Sequence, residues 1–150
     1  MNCFNFLLFV LLSFNPVQEE FVIFQAEETK VEKTSAEYEI WLSFKILDGF
    51  YIQAETGVPE NIIPTQVSFQ KDPTYEITGH EISSKGAQTI YLDTSAHNVL
   101  SNNLEVLVKV KLNEKNSENI KKLRGEVYYQ ACNNKQCFYP RNLNFEVEFI

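Results

Sequence analysis

Three long stretches of this 150-residue chain alternate apolar and polar side chains with a period of two. They cover residues 38–46, 104–112 and 143–149, and Trp41 is a local exception on the polar face of the first stretch. Successive side chains of a β-strand point to opposite faces of its sheet, so this alternation is typical of strands that bury one face. Three such strands predict antiparallel sheets with one face in water.

Shorter apolar stretches lie between the long ones, and turn-forming residues such as Asp48-Gly49 and Lys71-Asp72-Pro73 separate them. The shorter stretches are residues 50–54, 65–70, 75–82, 88–92 and 123–131. Seven to nine short strands at this spacing indicate an all-β sandwich rather than β-α-β units. We expect the polar residues 113–122 to form a solvated connection, and a chain of this length to fold as one domain.

The N-terminus carries an apolar run at residues 4–17, which has the length of a signal-peptide core and is too short for a membrane span. We therefore predict a signal peptide over residues 1–26, cleaved after Ala26, and a folded domain over residues 27–150. Phe24 is bulky for its position before that cut, and no Lys or Arg precedes the apolar run. An uncleaved membrane anchor and a cytosolic N-terminal strand are the alternatives.

Loss of the leader would remove Cys3 and leave two cysteines, Cys132 and Cys137. An even number suits one disulfide in an oxidising compartment, which agrees with export to the periplasm. Loss of Glu19 and Glu20 lowers the acidic count from 20 to 18 against 13 basic residues. A net acidic chain argues against nucleic acid or anionic lipid as a partner.

Cys132 and Cys137 flank the polar tip 133–136 of a hairpin that we predict from residues 123–131 and 136–149. Opposed residues of such a pair lie about 4.5–5.5 Å apart at Cα, within the range of a disulfide. Closing a loop of about six residues stabilises a fold by only about 2 kcal/mol. The residues alone leave two interpretations open, a redox-active disulfide and a structural one.

Metal binding is a third interpretation of the cysteine pair. Two thiolates supply half of a tetrahedral site, and His80 and His97 are the only histidines that could complete it. Neither lies at a ligand-like spacing from the cysteines. We therefore predict that the chain binds no metal and no cofactor.

The segment YYQACNNKQCFYP, residues 128–140, and the strand after it resemble the end of a known domain. This is the N-terminal periplasmic domain of the thiol:disulfide interchange protein DsbD, whose signature is Tyr-Gln-x-Cys, a short polar tip, and Cys before an aromatic residue and Pro. Residues 47–69 resemble the Gly-aromatic-aromatic stretch and the Ile-Pro-Thr segment of the same family. The two motifs occur in the family's order, and the resemblance covers residues 36–149.

The resemblance implies an immunoglobulin-like antiparallel β-sandwich in which Cys132 and Cys137 form the redox pair. The chain would then be a component of a protein-disulfide reductase system, and would exchange electrons with thioredoxin-fold proteins of the periplasm. The chain ends at Ile150 without the membrane and thioredoxin-like regions of DsbD. We therefore expect a separate membrane thiol reductase to supply the electrons. The competing hypothesis is a redox-silent protein-binding module with a structural disulfide.

Three tyrosines are predicted to surround the redox pair. Tyr51 matches the family's aromatic residue beside the disulfide, and Tyr139 helps to line the pocket. Gln53 stands where some members of the family have a second Tyr. Tyr91 is the candidate for the residue that shields the disulfide in a cap loop.

Overall fold

The computed structural model describes residues 20–92, 94–113 and 119–149. The first 19 residues of the predicted leader and residues 114–118 of the predicted connection lie outside these ranges. The described chain contains twelve strands and one short 3₁₀ turn, Ala26–Glu28. The strands are β1 (Val22–Phe24), β2 (Lys30–Lys33), β3 (Tyr38–Ile46), β4 (Tyr51–Gln53), β5 (Gln66–Phe69), β6 (Tyr75–Ser83), β7 (Gln88–Leu92), β8 (Ser95–Leu100), β9 (Asn103–Leu112), β10 (Lys121–Tyr129), β11 (Ala131–Cys132) and β12 (Arg141–Phe149).

All the strand pairs described are antiparallel, and they form three sheets. The first sheet has the order β1-β3-β9-β6, with β2 also paired to β3. The second has the order β12-β10-β5, and the third β11-β4-β8-β7. The predicted all-β antiparallel sandwich is therefore confirmed.

The alternating stretches form the strands that build the core. In β3, every second residue is buried, from Tyr38 to Ile46, the neighbouring β9 extends this buried face, and β12 of the second sheet packs against it. Aromatic rings join the first sheet to the second, because Phe44 and Phe145 meet at 5.6 Å and Tyr38 and Phe149 at 5.6 Å between ring centroids. Buried residues of all three sheets belong to this one core.

Twelve strands exceed the seven to nine that we predicted, because several strands are too short or too mixed to show a period. β8 (Ser95–Leu100) was missed, since His97 on one of its faces and Asn98 on the other interrupt the apolar pattern. β2 and β11 have only four and two residues. Within the described ranges, no helix is long and apolar enough to cross a membrane.

β1 lies inside the segment that we assigned to the leader. It pairs with β3 from Val22↔Ile46 to Phe24↔Phe44, and Phe21 and Val22 are buried in the core. Cleavage after Ala26 would remove this strand from the domain. The leader and its boundary stay a prediction, and β1 gives a physical reason to place any cut before Phe21.

Candidate functional site

The two cysteines form a disulfide, and its two ends lie in different surroundings. The sulfur atoms are 1.97 Å apart. Cys132 lies on β11, opposite Tyr51 of β4, and has no exposed surface. Cys137 is exposed to solvent. An attacking thiolate must approach a sulfur atom directly, and of the two residues only Cys137 has exposed surface.

The hairpin tip that carries the disulfide is held by its own hydrogen bonds. The Asn133 N–H donates to the Gln136 carbonyl at 2.9 Å, and Cys132 and Cys137 form an isolated antiparallel bridge. The Asn133 side-chain oxygen accepts from the backbone N–H groups of Lys135 and Gln136, both at 2.9 Å. The predicted tip at residues 133–136 is therefore formed.

The predicted antiparallel hairpin is formed, but its ladder is interrupted below that tip. β10 and β12 pair until Tyr129↔Arg141, whereas the tip pairs Cys132 with Cys137, which is a register shift of one residue. β11 then joins β4 in another sheet. Pro140 lies in the interrupted segment, and it has no N–H to donate to a ladder. Such bulges are common beside functional sites, where they redirect side chains.

Gln130 bridges the gap that the register shift leaves. Its side-chain N–H donates to the Phe138 carbonyl at 3.1 Å, and its side-chain oxygen accepts from the Ile63 N–H at 3.3 Å. These two contacts tie the interrupted strand to the tip and to the loop before β5. The amide side chain thus replaces ladder bonds that the backbone does not form.

Gln53 is a fully buried polar residue on β4, next to the buried sulfur. Its side-chain nitrogen lies 3.5 Å from Cys132 Sγ. Thr65 fixes its backbone, because the Thr65 hydroxyl donates to the Gln53 carbonyl at 2.5 Å. The Gln53 side-chain oxygen is buried and has no partner among the described residues. A buried acceptor without a partner costs about 1–3 kcal/mol, so an apolar residue would serve stability better here.

Tyr51, the predicted aromatic residue of the site, lies on β4 opposite Cys132. It is half-buried, and its hydroxyl donates to the Asn133 carbonyl at 3.4 Å. Burial raises the pKa of the Tyr51 hydroxyl above its usual value. The hydroxyl therefore stays protonated at neutral pH and remains a donor to the hairpin tip.

A cleft of about 450 Å³ opens beside Cys137, and we call it the Cys137 cleft. Its lining residues are Gln130, Gln136, Cys137, Phe138, Tyr139 and Arg141. Tyr139 is 90% exposed, so its ring is available to a partner. The Arg141 guanidinium lies 4.9 Å from the centre of the Phe21 ring, which fixes a positive charge at the cleft wall.

Tyr91 is the predicted site residue that lies apart from the disulfide. It is on β7, the edge strand of the sheet β11-β4-β8-β7, and it is 74% exposed. Three strand spacings separate β7 from β11, or about 14 Å at the usual distance between strands. The structure therefore brings Tyr51 and Tyr139 to the disulfide and leaves Tyr91 on the β7–β8 hairpin.

Neither histidine lies on β11 or in the hairpin tip with the cysteines. His80 lies on β6 in another sheet, where its ring meets that of Phe69 at 5.4 Å, and His97 is buried on β8. In residues 20–92, 94–113 and 119–149, no three His, Cys, Asp or Glu side chains cluster as metal ligands.

Sequence reasoning located Cys132, Cys137, Tyr51 and Tyr139, and it missed the contact from Gln53 to the sulfur. A signal was present: Gln53 is two residues from Tyr51 in a strand, so both side chains share one face of β4. The pairing of β4 with β11 was not predictable from a two-residue strand. Without that pairing, no residue could be identified as a contact of the Gln53 side chain.

No protein-family model matches the chain, and no curated protein matches it. Among solved structures, it is similar to the N-terminal periplasmic domain of ScsB from Proteus mirabilis, with a TM-score of 0.53 and 10% sequence identity. That match covers 80% of this chain and 43% of the ScsB chain, so this chain spans less than half of its length. The DsbD N-terminal domain of Neisseria meningitidis, in its reduced form, aligns with a TM-score of 0.43 and 14% identity over 81% of this chain and 83% of that one.

The likeness to ScsB concerns the fold alone: the chain is a β-sandwich similar to the N-terminal periplasmic domain of that protein. The resemblance that the sequence motifs indicated is thereby confirmed for the fold.

Proposed function

We propose that this domain exchanges thiols and disulfides with other proteins through Cys132 and Cys137. One observation carries the proposal: of the two disulfide-bonded residues, Cys132 is fully buried, whereas Cys137 is exposed and lines the Cys137 cleft. A disulfide that served only to hold the tip would not need an approach for a second protein. Its value as a staple is small, about 2 kcal/mol for a loop of this size.

The proposed reaction proceeds through a mixed disulfide. A partner thiolate attacks Cys137 Sγ, the bond between the two cysteines breaks, and Cys132 leaves as a thiolate. A second thiolate of the partner then attacks the partner sulfur in the mixed disulfide and releases Cys137 as a thiolate. The domain gains two electrons and the partner becomes a disulfide. The reverse sequence passes the two electrons on to an oxidised partner, and no cofactor takes part.

Thioredoxin-fold proteins of the periplasm are the proposed partners, and a membrane thiol reductase is the proposed electron source. The similarity in fold to a periplasmic domain supports this location, as does the apolar N-terminal run. We place any leader cleavage before Phe21 rather than after Ala26, because Phe21 and Val22 are buried in the core.

Two tyrosines have proposed roles at the point of contact. Tyr51 holds the hairpin tip through its bond to Asn133, and the exposed Tyr139 contacts the partner. Tyr91, at 74% exposure on the β7–β8 hairpin, is the proposed cap residue, and it would reach the disulfide only by movement of that hairpin.

A trapping experiment tests the proposal. In a Cys3→Ala background, the Cys132→Ala variant keeps the exposed thiol, and we expect it to accumulate a mixed disulfide with a thioredoxin-fold protein from a periplasmic extract. The Cys137→Ala variant is the matched control, because its remaining sulfur is buried. We expect it to capture nothing. Capture by neither variant would favour the redox-silent binding module.

A redox titration gives an independent measure. The purified domain is equilibrated in glutathione or dithiothreitol buffers, its thiols are alkylated, and the reduced fraction is read by mass spectrometry. We expect a midpoint above about −300 mV, since inert structural disulfides lie below that value. A lower midpoint would classify the bond as structural and contradict the exchange function.

A further inference from the structure

The buried sulfur is the one that must carry negative charge during exchange. Cys132 has no exposed surface, so water cannot solvate its thiolate when the disulfide opens. Burial in apolar surroundings raises the pKa of a thiol and makes it a poorer leaving group. A domain that exchanges its disulfide therefore needs an internal hydrogen-bond donor at this sulfur.

Gln53 is that donor. Its side-chain nitrogen faces Cys132 Sγ at 3.5 Å, from a strand that is fixed on both sides by β8 and β11. A thiolate only accepts hydrogen bonds, and the amide nitrogen only donates them. The amide oxygen, which could not serve a thiolate, is left without a partner in the described part of the chain.

We infer that Gln53 is a positioning residue, whose side-chain N–H holds the Cys132 thiolate and makes it a better leaving group. The inference rests on the proposed function, because it deepens the same reaction. It also gives a reason for a buried amide that the fold does not need. The contact already exists in the oxidised protein, so no rearrangement is required when the bond breaks.

Among the described residues, no other side chain near β4 has a hydrogen bond to Cys132 Sγ. The Tyr51 hydroxyl, on the same face of β4, donates to the Asn133 carbonyl. His97 lies on the same face of β8 as Val99, the partner of Gln53, and Lys135 and Arg141 belong to the tip and to β12. All four residues are kept unchanged in the test.

The test measures the pKa of the Cys132 thiol from its ultraviolet thiolate absorbance. The full chain carries Cys3→Ala and Cys137→Ala, so that Cys132 is the only thiol. Gln53→Met keeps the length of the side chain and removes the donor. We expect the pKa of Cys132 to rise by about one unit, a tenfold loss of thiolate at a given pH below it, because hydrogen bonds to charged groups have about this strength. Gln53→Glu places a carboxylate there, and we expect a larger rise.

Tyr75→Phe is the matched control, since it removes the hydrogen bond from the Tyr75 hydroxyl to the Lys122 carbonyl, in another sheet, and leaves Gln53 and its backbone contacts intact. We expect it to lower the urea midpoint and leave the pKa of Cys132 unchanged. With both cysteines restored, we expect dithiothreitol to reduce the Gln53→Met disulfide more slowly than the parent disulfide. An unchanged pKa in Gln53→Met, or an equal rise in Tyr75→Phe, would overturn the role of Gln53.

Failure of the proposed function has a different signature. If Cys132→Ala traps no partner and the pKa still rises in Gln53→Met, the contact stands and the exchange with proteins does not. If trapping succeeds and the pKa does not move, the exchange stands and the role of Gln53 is refuted.

Discussion

The β10–β12 ladder and residues 130–140, which connect its two strands, are adjacent in the chain but differ in pairing and in burial. The ladder pairs nine residues without interruption, from Lys121↔Phe149 to Tyr129↔Arg141, and its inward faces are apolar. The next residues shift register, change sheets within two residues, and bury a sulfur beside an unpaired amide oxygen. In the ladder, apolar side chains occupy the buried face, as the sequence pattern predicts. At the disulfide, the ladder is interrupted and a polar side chain is buried. Such departures are expected at functional sites, where stability is given up for chemistry.

The comparison predicts that changes to the scaffold lower stability strongly and leave the chemistry of the sulfur atoms unchanged. Changes at the disulfide are expected to do the opposite. The predictions below test this division, beginning with the largest expected effect.

The first prediction concerns β1, which contributes to the scaffold from inside the predicted leader. A variant that begins at Glu27 loses Phe21 and Val22, both fully buried, and we expect it to be about 3–6 kcal/mol less stable. A variant that begins at Glu20 is the control and is expected to keep the stability of the full chain. The measurement is the free energy of unfolding in urea. Equal stability of the two variants would show that β1 is dispensable.

The second prediction concerns the centre of the ladder. Phe145 meets the rings of Phe24, Phe44 and Phe69 within 6.0 Å between centroids. We expect Phe145→Ala to lower the free energy of unfolding by about 3–5 kcal/mol, the usual cost of removing a buried Phe side chain.

The neighbouring Asn144→Ala is its control, because Asn144 is exposed on the same strand, and we expect a change within about 0.5 kcal/mol. Both variants are expected to keep the redox midpoint of the parent. A midpoint that moved with Phe145→Ala would mean that scaffold and site are coupled through the core.

The same division explains how much of the molecule could be predicted from its sequence. The alternation at residues 38–46 predicted β3, its buried face and the antiparallel sheets, because burial of one face imposes that period. Cys132, Cys137 and Tyr51 were located through motifs. The sheet change after Gln130 was not, since β11 has two residues and its partner is distant in sequence. Gln53 was noted only as standing where some members of the family have a second Tyr, and its contact with Cys132 depends on the pairing of β4 with β11.

The third prediction compares the two ends of the disulfide under reducing conditions. Cys132→Ser and Cys137→Ser both remove the bond, so the loss of loop closure is the same in each. Cys132 is fully buried and Cys137 is exposed. We expect Cys132→Ser to be about 1–2 kcal/mol less stable, because it buries a hydroxyl group. Equal unfolding free energies would contradict the asymmetry on which the exchange mechanism depends.

The smallest effect is expected on the wet face of the ladder, where Glu146 accepts from Lys122 at 2.7 Å and from Arg124 at 2.6 Å. These hydrogen bonds, with Lys122 as the larger cause, hold the pKa of Glu146 below its usual value. A carboxyl with a lowered folded pKa stabilises the fold above its unfolded pKa, about 4.3, and this stabilisation is lost as pH falls through the folded pKa. The urea midpoints of the parent and Glu146→Gln are therefore expected to differ at pH 6 and to converge in acid.

Glu76→Gln, at an exposed residue on β6, is the control and is expected to follow the parent throughout. Salt is expected to shrink the difference at pH 6, because the pairs are exposed and screened. A difference that persists in acid would show that Glu146 contributes through packing rather than charge.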